Sequence, residues 1–457
     1  MKRTRYIPLM AASALLMSSC GIYTHYKPVQ ETPEQLYGQE VAADDTASIA
    51  DQSWREVFTD PHLQALIEQG LSANTDYLSA LQRVKEAEAT LLSARLAYLP
   101  SLALAPQGTV SSWDHGKATQ TYSLPVTASW EFDLFGKLRN AERQQKALLA
   151  YSQDYSQAVR TQVIAGIANV YYTLLMLDEQ IDITTRTAQS WKESAAATRA
   201  LMKAGMADEA SAAQMEAAAL SAEAQVLTLK EQRNTTRNSL SALLAETPRD
   251  YERGTLAGQD YPDHLQAGIP LQLLSRRPDV RAAERSLERA FYATNSARAA
   301  FYPSITLSGS AGWSNSGGGM ITNPGKFLAS AVASLTQPLF AQGKLVGQLK
   351  IARAQQEEAR LAFQQTLLNA GMEVNEALDK WQTAREKTEL YARQVEKLQT
   401  AYNSTQLKMQ YGNTTYLEVL TAQQSLLGAE LTQVANRMTE LQGKIDLYQA
   451  LGGGGTD

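Results

Sequence analysis

Histidines and a glycine-rich segment are the residues of this sequence that could bind a metal ion or a phosphate group. The four histidines, His25, His62, His115 and His264, lie far apart and lack the spacing of metal ligands. The segment "GSAGWSNSGGG" at 309–319 has the glycines of a phosphate-binding loop, but no lysine with a following serine or threonine completes it. We therefore expect no catalytic residue, no metal site, no cofactor and no enzymatic activity.

The only cysteine of the chain, Cys20, stands where a lipid could be attached. A basic start is followed by an apolar run at 6–17, which is too short to span a bilayer as a helix. The run leads into "LMSSC", and small residues before a lone cysteine resemble the lipobox of bacterial lipoproteins, whose cysteine becomes the acylated N-terminus. Gly21 favours delivery to the outer membrane. We predict a signal peptide at 1–19 and a lipid on Cys20; a secretory signal with an incidental cysteine is the alternative.

Charge and hydropathy exclude two classes of protein. The net charge of −5 gives no basic footprint for nucleic acid. A single cysteine cannot form an intrachain disulfide or a cysteine metal cluster. After Cys20, no uninterrupted apolar run reaches the roughly eighteen residues that a membrane-spanning helix needs. We expect neither a nucleic-acid partner nor a transmembrane helix.

The two halves of the sequence resemble each other. Three pairs of similar segments occur in the same order: "RLAYLPSLAL" (95–104) with "RAAFYPSITL" (298–307), "DLFGKL" (133–138) with "PLFAQGKL" (338–345), and "LMKAGMADEA" (201–210) with "LKMQYGNTTYL" (407–417). Their offsets stay between 203 and 207 residues, which indicates an internal duplication. The predicted organisation is a signal peptide at 1–19, an N-terminal extended segment at 20–60, a first structural repeat at 61–247, a linker at 248–269, a second structural repeat at 270–451 and a flexible glycine-rich tail at 452–457.

Alternating apolar and polar residues predict strands within each half. Pro100 and Pro303 end the helices that precede them, and the alternation covers about 101–133 in the first half and about 304–339 in the second. Each half would contribute two strands. In the first half, the strand that contains Pro106 has a weaker pattern than its partner strand.

Two very long helices are predicted by stretches without proline. No proline lies between Pro125 and Pro248, and none follows Pro338. Helices at about 137–204 and 344–411 fit these stretches, and each would be about 100 Å long. A single apolar stripe on so long a helix must pack against other helices along its whole length.

Strands inside a helical protein have a physical reason if they enter a membrane. In hydrocarbon every backbone polar group needs a partner within the protein, so only helices and closed barrels can span it. Strands of about ten residues have the length of transmembrane barrel strands. Four strands cannot close a barrel, which needs about eight. The barrel would be shared by two, three or four chains, and the strand count does not choose among them. A soluble sheet beside a coiled coil is the alternative.

Several segments resemble the outer membrane factor family, and specifically the efflux outer-membrane lipoproteins of Gram-negative bacteria. The similar stretches are "IPLQLLSRRPDVRAAERSL" at 269–287, "SWREVFTDPHLQALIEQGL" at 53–71 and "WEFDLFGKL" at 130–138. The resemblance runs over nearly the whole chain, from Cys20 to Leu451. In physical terms "RRPDV" is a helix start, because Pro278 suits the first turn and Asp279 favours the positive helix end.

The resemblance implies a fold, an assembly and a function. The fold is mainly α with a membrane β-barrel: three chains would share a twelve-stranded barrel in the outer membrane, continuous with a long periplasmic α-helical barrel. This homotrimer would be the exit duct of a tripartite efflux system and would conduct drugs or other small molecules passively. A periplasmic adaptor (membrane fusion protein) and an inner-membrane proton-driven pump would be its partners. The lipid anchor would hold it in the outer membrane.

The resemblance also implies a gate at the periplasmic end. Members of the family often carry aspartates there in a pattern like "DVLD", where this sequence has "EVLT". Glu418 takes the first acidic position and Thr421 replaces the second, on one face of a helix. Asp208 and Glu209 lie at the matching turn of the first half. A solvated helix residue without a gating role is the alternative for Glu418.

Two other functions remain open on the sequence. The same architecture with another pump would be an outer-membrane channel for type I protein secretion, although the predicted lipid anchor and the "RRPDV" stretch favour efflux. A structural lipoprotein that spans the periplasm without a pore is the alternative of a different class.

Replacing Cys20 with alanine tests the predicted anchor. The wild-type protein should incorporate a radioactive fatty acid during growth, and Cys20→Ala should incorporate none because the acylated thiol is absent. Equal labelling of the two proteins would show that Cys20 carries no lipid.

Overall fold

The computed structural model describes residues 24–28, 36, 48–112, 114–259, 273–315, 326–412 and 414–454. Cys20 and the predicted signal peptide lie outside these residues. The chain divides into two compact units. The first contains the described parts of 1–29, 82–154 and 282–365, and the second contains those of 30–81, 155–281 and 366–457.

Most described residues are helical. The helices are α1 (Trp54–Val57), α2 (Pro61–Ala73), α3 (Thr75–Leu96), α4 (Lys137–Lys203), α5 (Glu209–Leu243), α6 (Leu273–Arg276), α7 (Pro278–Ala299), α8 (Lys344–Gln410) and α9 (Tyr416–Ala450). The strands are β1 (Ser101–Leu104), β2 (Gln107–Ser111), β3 (Thr119–Phe132), β4 (Ser304–Asn315) and β5 (Lys326–Thr336). The predicted mainly helical fold with a few antiparallel strands is confirmed. None of the described helices combines the length and the apolar character that crossing a membrane requires.

Corresponding helices in the two halves have equal lengths. Helices α3 and α7 have 22 residues each, α4 and α8 have 67, and α5 and α9 have 35. The order of helix, strands, long helix and returning helix therefore occurs twice along the chain.

The described strands form one antiparallel sheet in the order β1-β3-β4-β5, and β2 also pairs with β3. β1 and β2 occupy one strand position, which is interrupted at Ala105 and Pro106. The Ala105 N–H still donates to the Pro125 carbonyl at 3.0 Å, but Pro106 has no N–H with which to continue the ladder. Where the sequence predicts one weak strand, the structure therefore has two short ones. Gly312 lies opposite Pro125, where a Cβ would overlap with the carbonyl of Leu124.

Each long helix forms an antiparallel hairpin with the helix that follows it. Ion pairs join α4 to α5, as Lys192 does with Glu223 at 3.1 Å. Helix α9 packs closely on α8 at Gly443, where a Cβ would lie 2.7 Å from the Cβ of Trp381. Exposed ion pairs contribute little free energy, so close packing along the hairpins carries most of their stability.

Arg277 joins the start of α7 to residues of α8 and α9 that lie in the second unit. Its guanidinium is buried and pairs with Asp279 (Nε to Oδ1, 2.7 Å) and with Glu373. It also donates to the Ala450 carbonyl at 3.0 Å, at the C-terminal end of α9, where a positive charge is favoured by the helix dipole. The predicted helix start at Pro278 is confirmed, and the arginine before it ties that start to α8 and α9.

The described part of the glycine-rich tail is held in place. Gly452, Gly453 and Gly454 are buried, and the Thr161 hydroxyl donates to the Gly453 carbonyl at 2.7 Å. The Arg160 guanidinium also donates to the Gly454 carbonyl. The prediction of a flexible tail is therefore wrong for these three residues, because buried carbonyls of the tail find donors on α4.

A buried hydrogen-bond cluster around Asp60 fixes the segment after α5 to α2 and α4. The Asp60 carboxylate accepts from the Tyr171 hydroxyl at 2.6 Å, from the Gln259 side chain at 2.9 Å and from the His62 N–H at 2.9 Å. The Tyr171 oxygen in turn accepts from the Gly254 N–H at 2.9 Å. Burial opposes ionisation of Asp60, but these hydrogen bonds hold its pKa below its ordinary value.

Replacing Tyr171 with phenylalanine removes a hydrogen bond to the Asp60 carboxylate. We expect destabilisation by roughly 1.5–3 kcal/mol at pH 7, since the bond is made to a charged group. Because the native pKa of Asp60 is lowered, its stabilisation is present above the unfolded-state pKa and is lost as the pH falls through the native pKa. The difference between variant and wild type, measured by scanning calorimetry in detergent, should therefore shrink at acid pH.

Tyr391→Phe, at a half-buried tyrosine of α8, is the matched control. A loss of stability as large as that of Tyr171→Phe, or a difference for Tyr171→Phe that does not change with pH, would contradict the role given to the Asp60 cluster.

Candidate functional site

One face of the sheet is apolar from end to end. On β3, β4 and β5 it presents Leu124, Val126, Ala128, Trp130 and Phe132; Ile305, Leu307, Gly309, Ala311 and Trp313; and Phe327, Ala329, Ala331, Ala333 and Leu335. None of these residues carries a charge, and several large ones are exposed, among them Leu335 at 68%. A continuous exposed apolar face of this kind marks a surface that meets a partner or a membrane.

Two aromatic clusters lie near the ends of this face. Trp130 and Phe132 have ring centroids 4.0 Å apart at one end, and Trp313 and Phe327 have centroids 5.6 Å apart at the other. Trp130 pairs with Leu307, six residues before Trp313 on β4, so the clusters are about 20 Å apart along the strands at about 3.4 Å per residue. An apolar band between aromatic girdles is typical of a transmembrane barrel.

The opposite face of the sheet is rich in hydroxyl groups. Ser310 and Ser330 share a hydrogen bond of 2.8 Å across β4 and β5, and Glu131 forms an ion pair with Lys137 at 2.8 Å. Val332 also lies on this face, opposite Ser308. The sheet is therefore suited to separate an apolar from an aqueous environment.

The turns between the paired long helices are built alike. Gly205 and Gly412 have φ of 74° and 73°, the left-handed region that favours glycine. The Gly205 N–H donates to the Met202 carbonyl at 3.0 Å, and the Gly412 N–H donates to the Met409 carbonyl at 3.0 Å. Each is one of the two bonds of a Schellman-type helix end, and the left-handed backbone favours glycine at both positions.

Asp208, predicted as part of the gate, caps helix α5. Its exposed carboxylate accepts from the Ser211 N–H at 2.6 Å and from the Ser211 hydroxyl at 3.1 Å. The first of these bonds is the main reason why the pKa of Asp208 is lowered. Glu209 follows in the first turn and is exposed. Both acids lie at the positive end of the helix, which stabilises their charge.

Glu418 lies in the first turn of α9 and is exposed. Its carboxylate accepts a hydrogen bond from the Thr414 hydroxyl, just before the helix. Thr421 is also exposed, and its hydroxyl donates to the Leu417 carbonyl at 2.8 Å. These bonds lie within one turn and its helix, so the structure of a single chain leaves the Glu418 carboxylate at the surface.

The sequence predicts the apolar face of the sheet and the helix cap, but not the pairing of the strands. Alternation places Trp130, Phe132 and Trp313 on an apolar face, but the pairing of Trp313 with Phe327 depends on the register of β4 and β5. The number of residues between Trp313 and Phe327 does not fix that register. The cap at Asp208 has a recognisable signal, since an aspartate directly before a helix is a common N-cap.

The sequence model of the family described as "Outer membrane efflux protein" matches residues 66–246 and 269–453. These segments make up more than half of the chain. The chain belongs to this family. The predicted resemblance, the efflux function and the outer-membrane location with an extension into the periplasm are thereby confirmed.

Individual relatives are similar to this chain over nearly its full length. The chain is 26% identical to the probable efflux pump outer membrane protein TtgC of Pseudomonas putida, covering 99% of this chain and 96% of that protein. It is 26% identical to the probable outer membrane lipoprotein SilC of Salmonella typhimurium, covering 89% of each. The structure matches the open state of the MtrE outer membrane channel of Neisseria gonorrhoeae with a TM-score of 0.83 and 27% identity, covering 94% of this chain and 97% of that one.

Neighbouring residues of β5 test which sheet face meets the lipid. Ala331 lies on the apolar face opposite Gly309, midway between the aromatic clusters. Ala331→Arg should cost roughly 2–4 kcal/mol per chain for a charge near the bilayer midplane, and the amount of folded protein in outer-membrane fractions should fall strongly. Val332→Arg, which adds the same charge on the hydroxyl-rich face, should leave that amount near the wild-type level. Equal losses in the two variants would contradict the assignment of the faces.

Proposed function

We propose that three copies of the chain form a closed channel, the exit duct of a tripartite efflux system, through which small molecules leave the periplasm passively. The observation that carries the proposal is the apolar sheet face with its two aromatic clusters. A sheet of this kind would sit in the outer membrane with its hydroxyl-rich face toward a water-filled lumen.

The edges of the sheet support a shared barrel. Among the described strands, β5 pairs only with β4, and β1 and β2 pair only with β3. In hydrocarbon each unpaired N–H or C=O costs roughly 2–7 kcal/mol. Other copies of the chain would satisfy both edges. With four strand positions per chain, three copies give a twelve-stranded barrel, the number implied by the resemblance to the outer membrane factors.

Internal duplication would make such a ring nearly regular. The equal helix lengths in the two halves support it, as do the two separate segments, 66–246 and 269–453, that match the family. We assign them to a first repeat at 61–247 and a second at 270–451, joined by the linker at 248–269. Three chains would then place six similar units around one axis.

The long hairpins would continue the duct into the periplasm. At 1.5 Å per residue the 67-residue helices α4 and α8 are each about 100 Å long. Twelve helical segments from three chains would surround an aqueous passage. Because the passage is passive, the energy and the choice of substrate would come from an inner-membrane proton-driven pump, linked to the duct by a periplasmic adaptor. The name of TtgC, an efflux pump outer membrane protein, supports this arrangement.

A lipid on Cys20 would add a second attachment to the membrane. Each buried methylene of an acyl chain contributes about 0.8 kcal/mol. The name of SilC, a probable outer membrane lipoprotein, supports an anchor in this chain.

The periplasmic end of the duct would be narrowed by the helix turns at Gly205 and Gly412. With threefold symmetry, three Glu418 carboxylates would approach the axis, with the Thr421 hydroxyls behind them and Asp208 and Glu209 at the alternate turns. Like charges in a narrow ring focus a negative potential, which attracts cations. The exposure of the Glu418 carboxylate in the single chain is consistent with this role.

Efflux is favoured over the other two candidates. The family is described as outer membrane efflux protein, and TtgC is named as a probable efflux pump outer membrane protein. Type I protein secretion would use the same architecture with a different pump. A structural lipoprotein without a pore has no use for a hydroxyl-rich sheet face.

Planar bilayers test the channel and its gate together. The purified wild-type protein should produce discrete conductance steps with cation selectivity and should be blocked by multivalent cations. Glu418→Gln should lower both the selectivity and the block, since three charges leave the ring, and Glu418→Lys should exclude cations more strongly.

Glu396→Gln, at an exposed glutamate of α8 that pairs with Lys397, makes the same change in charge elsewhere and should behave as the wild type. A wild-type protein without conductance would contradict the channel. Unchanged selectivity and block in Glu418→Gln would show that Glu418 has no part in the gate.

A further inference from the structure

Each half of the chain has one junction where a helix leads into a strand and one where a strand leads into a long helix. Aromatic residues at two of these four junctions contact each other within the chain. After β3, the ring of Phe135 stacks on the ring of Tyr302, which lies between α7 and β4; the centroids are 5.0 Å apart and the planes differ by 23°. This contact joins the strand-to-helix junction of the first half to the helix-to-strand junction of the second half.

The corresponding residues of the other two junctions are exposed. After β5, the residues that align with Leu134 and Phe135 are Leu339 and Phe340, exposed by 93% and 86%. The residue that aligns with Tyr302 in the first half is Leu99, exposed by 60%. Within one chain, therefore, Phe340 and Leu99 are exposed, whereas the aligned residues Phe135 and Tyr302 contact each other.

Local hydrogen bonds support this equivalence. The Trp130 indole N–H donates to the Tyr98 carbonyl at 2.8 Å, directly before Leu99. The Gln337 side chain donates to the Phe301 carbonyl at 2.9 Å, directly before Tyr302. Tyr98 and Phe301 align at the offset of 203 residues. Both helix-to-strand junctions therefore accept a side-chain hydrogen bond at the same carbonyl, from within β3 in the first half and from the residue directly after β5 in the second.

We infer that Leu339 and Phe340 form an apolar plug that seats against Leu99 of a second copy of this chain, and that β5 pairs with β1 of that copy in a register copied from β3 and β4. The inference rests on the proposed assembly and specifies its seam. The plug would repeat once for each copy around the ring.

The register follows from the alignment of the halves. In the chain, Trp130 lies opposite Leu307 and Phe132 opposite Ile305, and continuing this antiparallel pairing brings Phe135 opposite Tyr302, where the structure shows the stacked rings. The same pairing between copies places Leu335 opposite Leu104. Continued in the same way, it brings Phe340 opposite Leu99.

The faces of the two strands agree with this register. Leu335 lies on the apolar face, and Leu104 pairs with Val126 on the same face. Both are exposed in the single chain, by 68% and 62%. A slip by one residue would put Thr336 opposite Leu104 and reverse one face of the seam, which the membrane would penalise.

A second copy fits the plug better than lipid does. Phe135, the counterpart of Phe340, is half-buried and stacks on the ring of Tyr302, whereas Phe340 is exposed by 86%. The plug also begins only three residues after β5 ends at Thr336, beside the edge that needs a partner strand. A copy whose β1 pairs with β5 in this register brings its own Leu99 to this position.

Paired cysteines test the seam in the full-length protein in outer-membrane vesicles. Leu335→Cys with Leu104→Cys should form a disulfide between copies on oxidation, giving reducible dimer and trimer bands in denaturing gels. Leu335→Cys with Leu102→Cys, displaced by two residues on the same face, is the matched control. It should give at least about ten-fold less, since disulfides require Cα atoms within about 7 Å. Single-cysteine variants correct for other pairings.

A short thiol cross-linker tests the plug in a double variant with Phe340→Cys and Leu99→Cys. The control is a double variant with Leu134→Cys and Leu99→Cys. Cross-linking between copies by the first pair and not by the second supports the inference. A phenylalanine that faces lipid would give no cross-link between copies and would overturn it, as would preferential disulfide formation by Leu335→Cys with Leu102→Cys.

Blue-native gels of the reduced samples distinguish a failure of the proposed seam from a failure of the proposed assembly. Oligomers that persist while the expected pairs fail to cross-link would refute the seam and leave the proposed assembly intact. A wild-type protein that migrates only as a monomer would refute the assembly itself.

Discussion

The pairing of backbone amides in hydrocarbon is the constraint on which the rest of the molecule depends. A sheet with the uncharged face between Trp130 and Trp313 is stable in a membrane only if its N–H and C=O groups are all paired. Among the described strands of one chain, the inner ones are paired on both sides, and β5 and the β1–β2 position have one neighbour each. The long helices need not meet this constraint, because they are polar enough to lie in water. In the proposed assembly, the alternation of helix and strand along the chain would follow the change from water to hydrocarbon.

Elements that depend on local patterns could be predicted from the sequence. The proline-free stretches predict α4 and α8 to within a residue or two, and alternation predicts the strand regions. Pro278 predicts the start of α7. Glycines 205 and 412 predict the helix turns, because a left-handed residue is needed where a helix ends and the chain reverses. These features need only neighbours in sequence.

Features that depend on distant partners could not be predicted. Arg277 donates to the carbonyl of Ala450, 173 residues away, and Tyr171 donates to Asp60, 111 residues away. The glycine-rich tail shows the same limit, since its composition indicates flexibility while Thr161 holds it. The proposed gate would depend on partners outside the chain, because Glu418 is exposed in the single chain.

The number of chains in the assembly tests the central claim most directly. Native mass spectrometry of the wild-type protein, released intact from the outer membrane in a mild detergent, measures that number. We expect a dominant species with three times the mass of the mature chain, since the resemblance to the outer membrane factors implies a twelve-stranded barrel and each chain has four strand positions. A stable monomer, or an assembly of two or four chains, would contradict it.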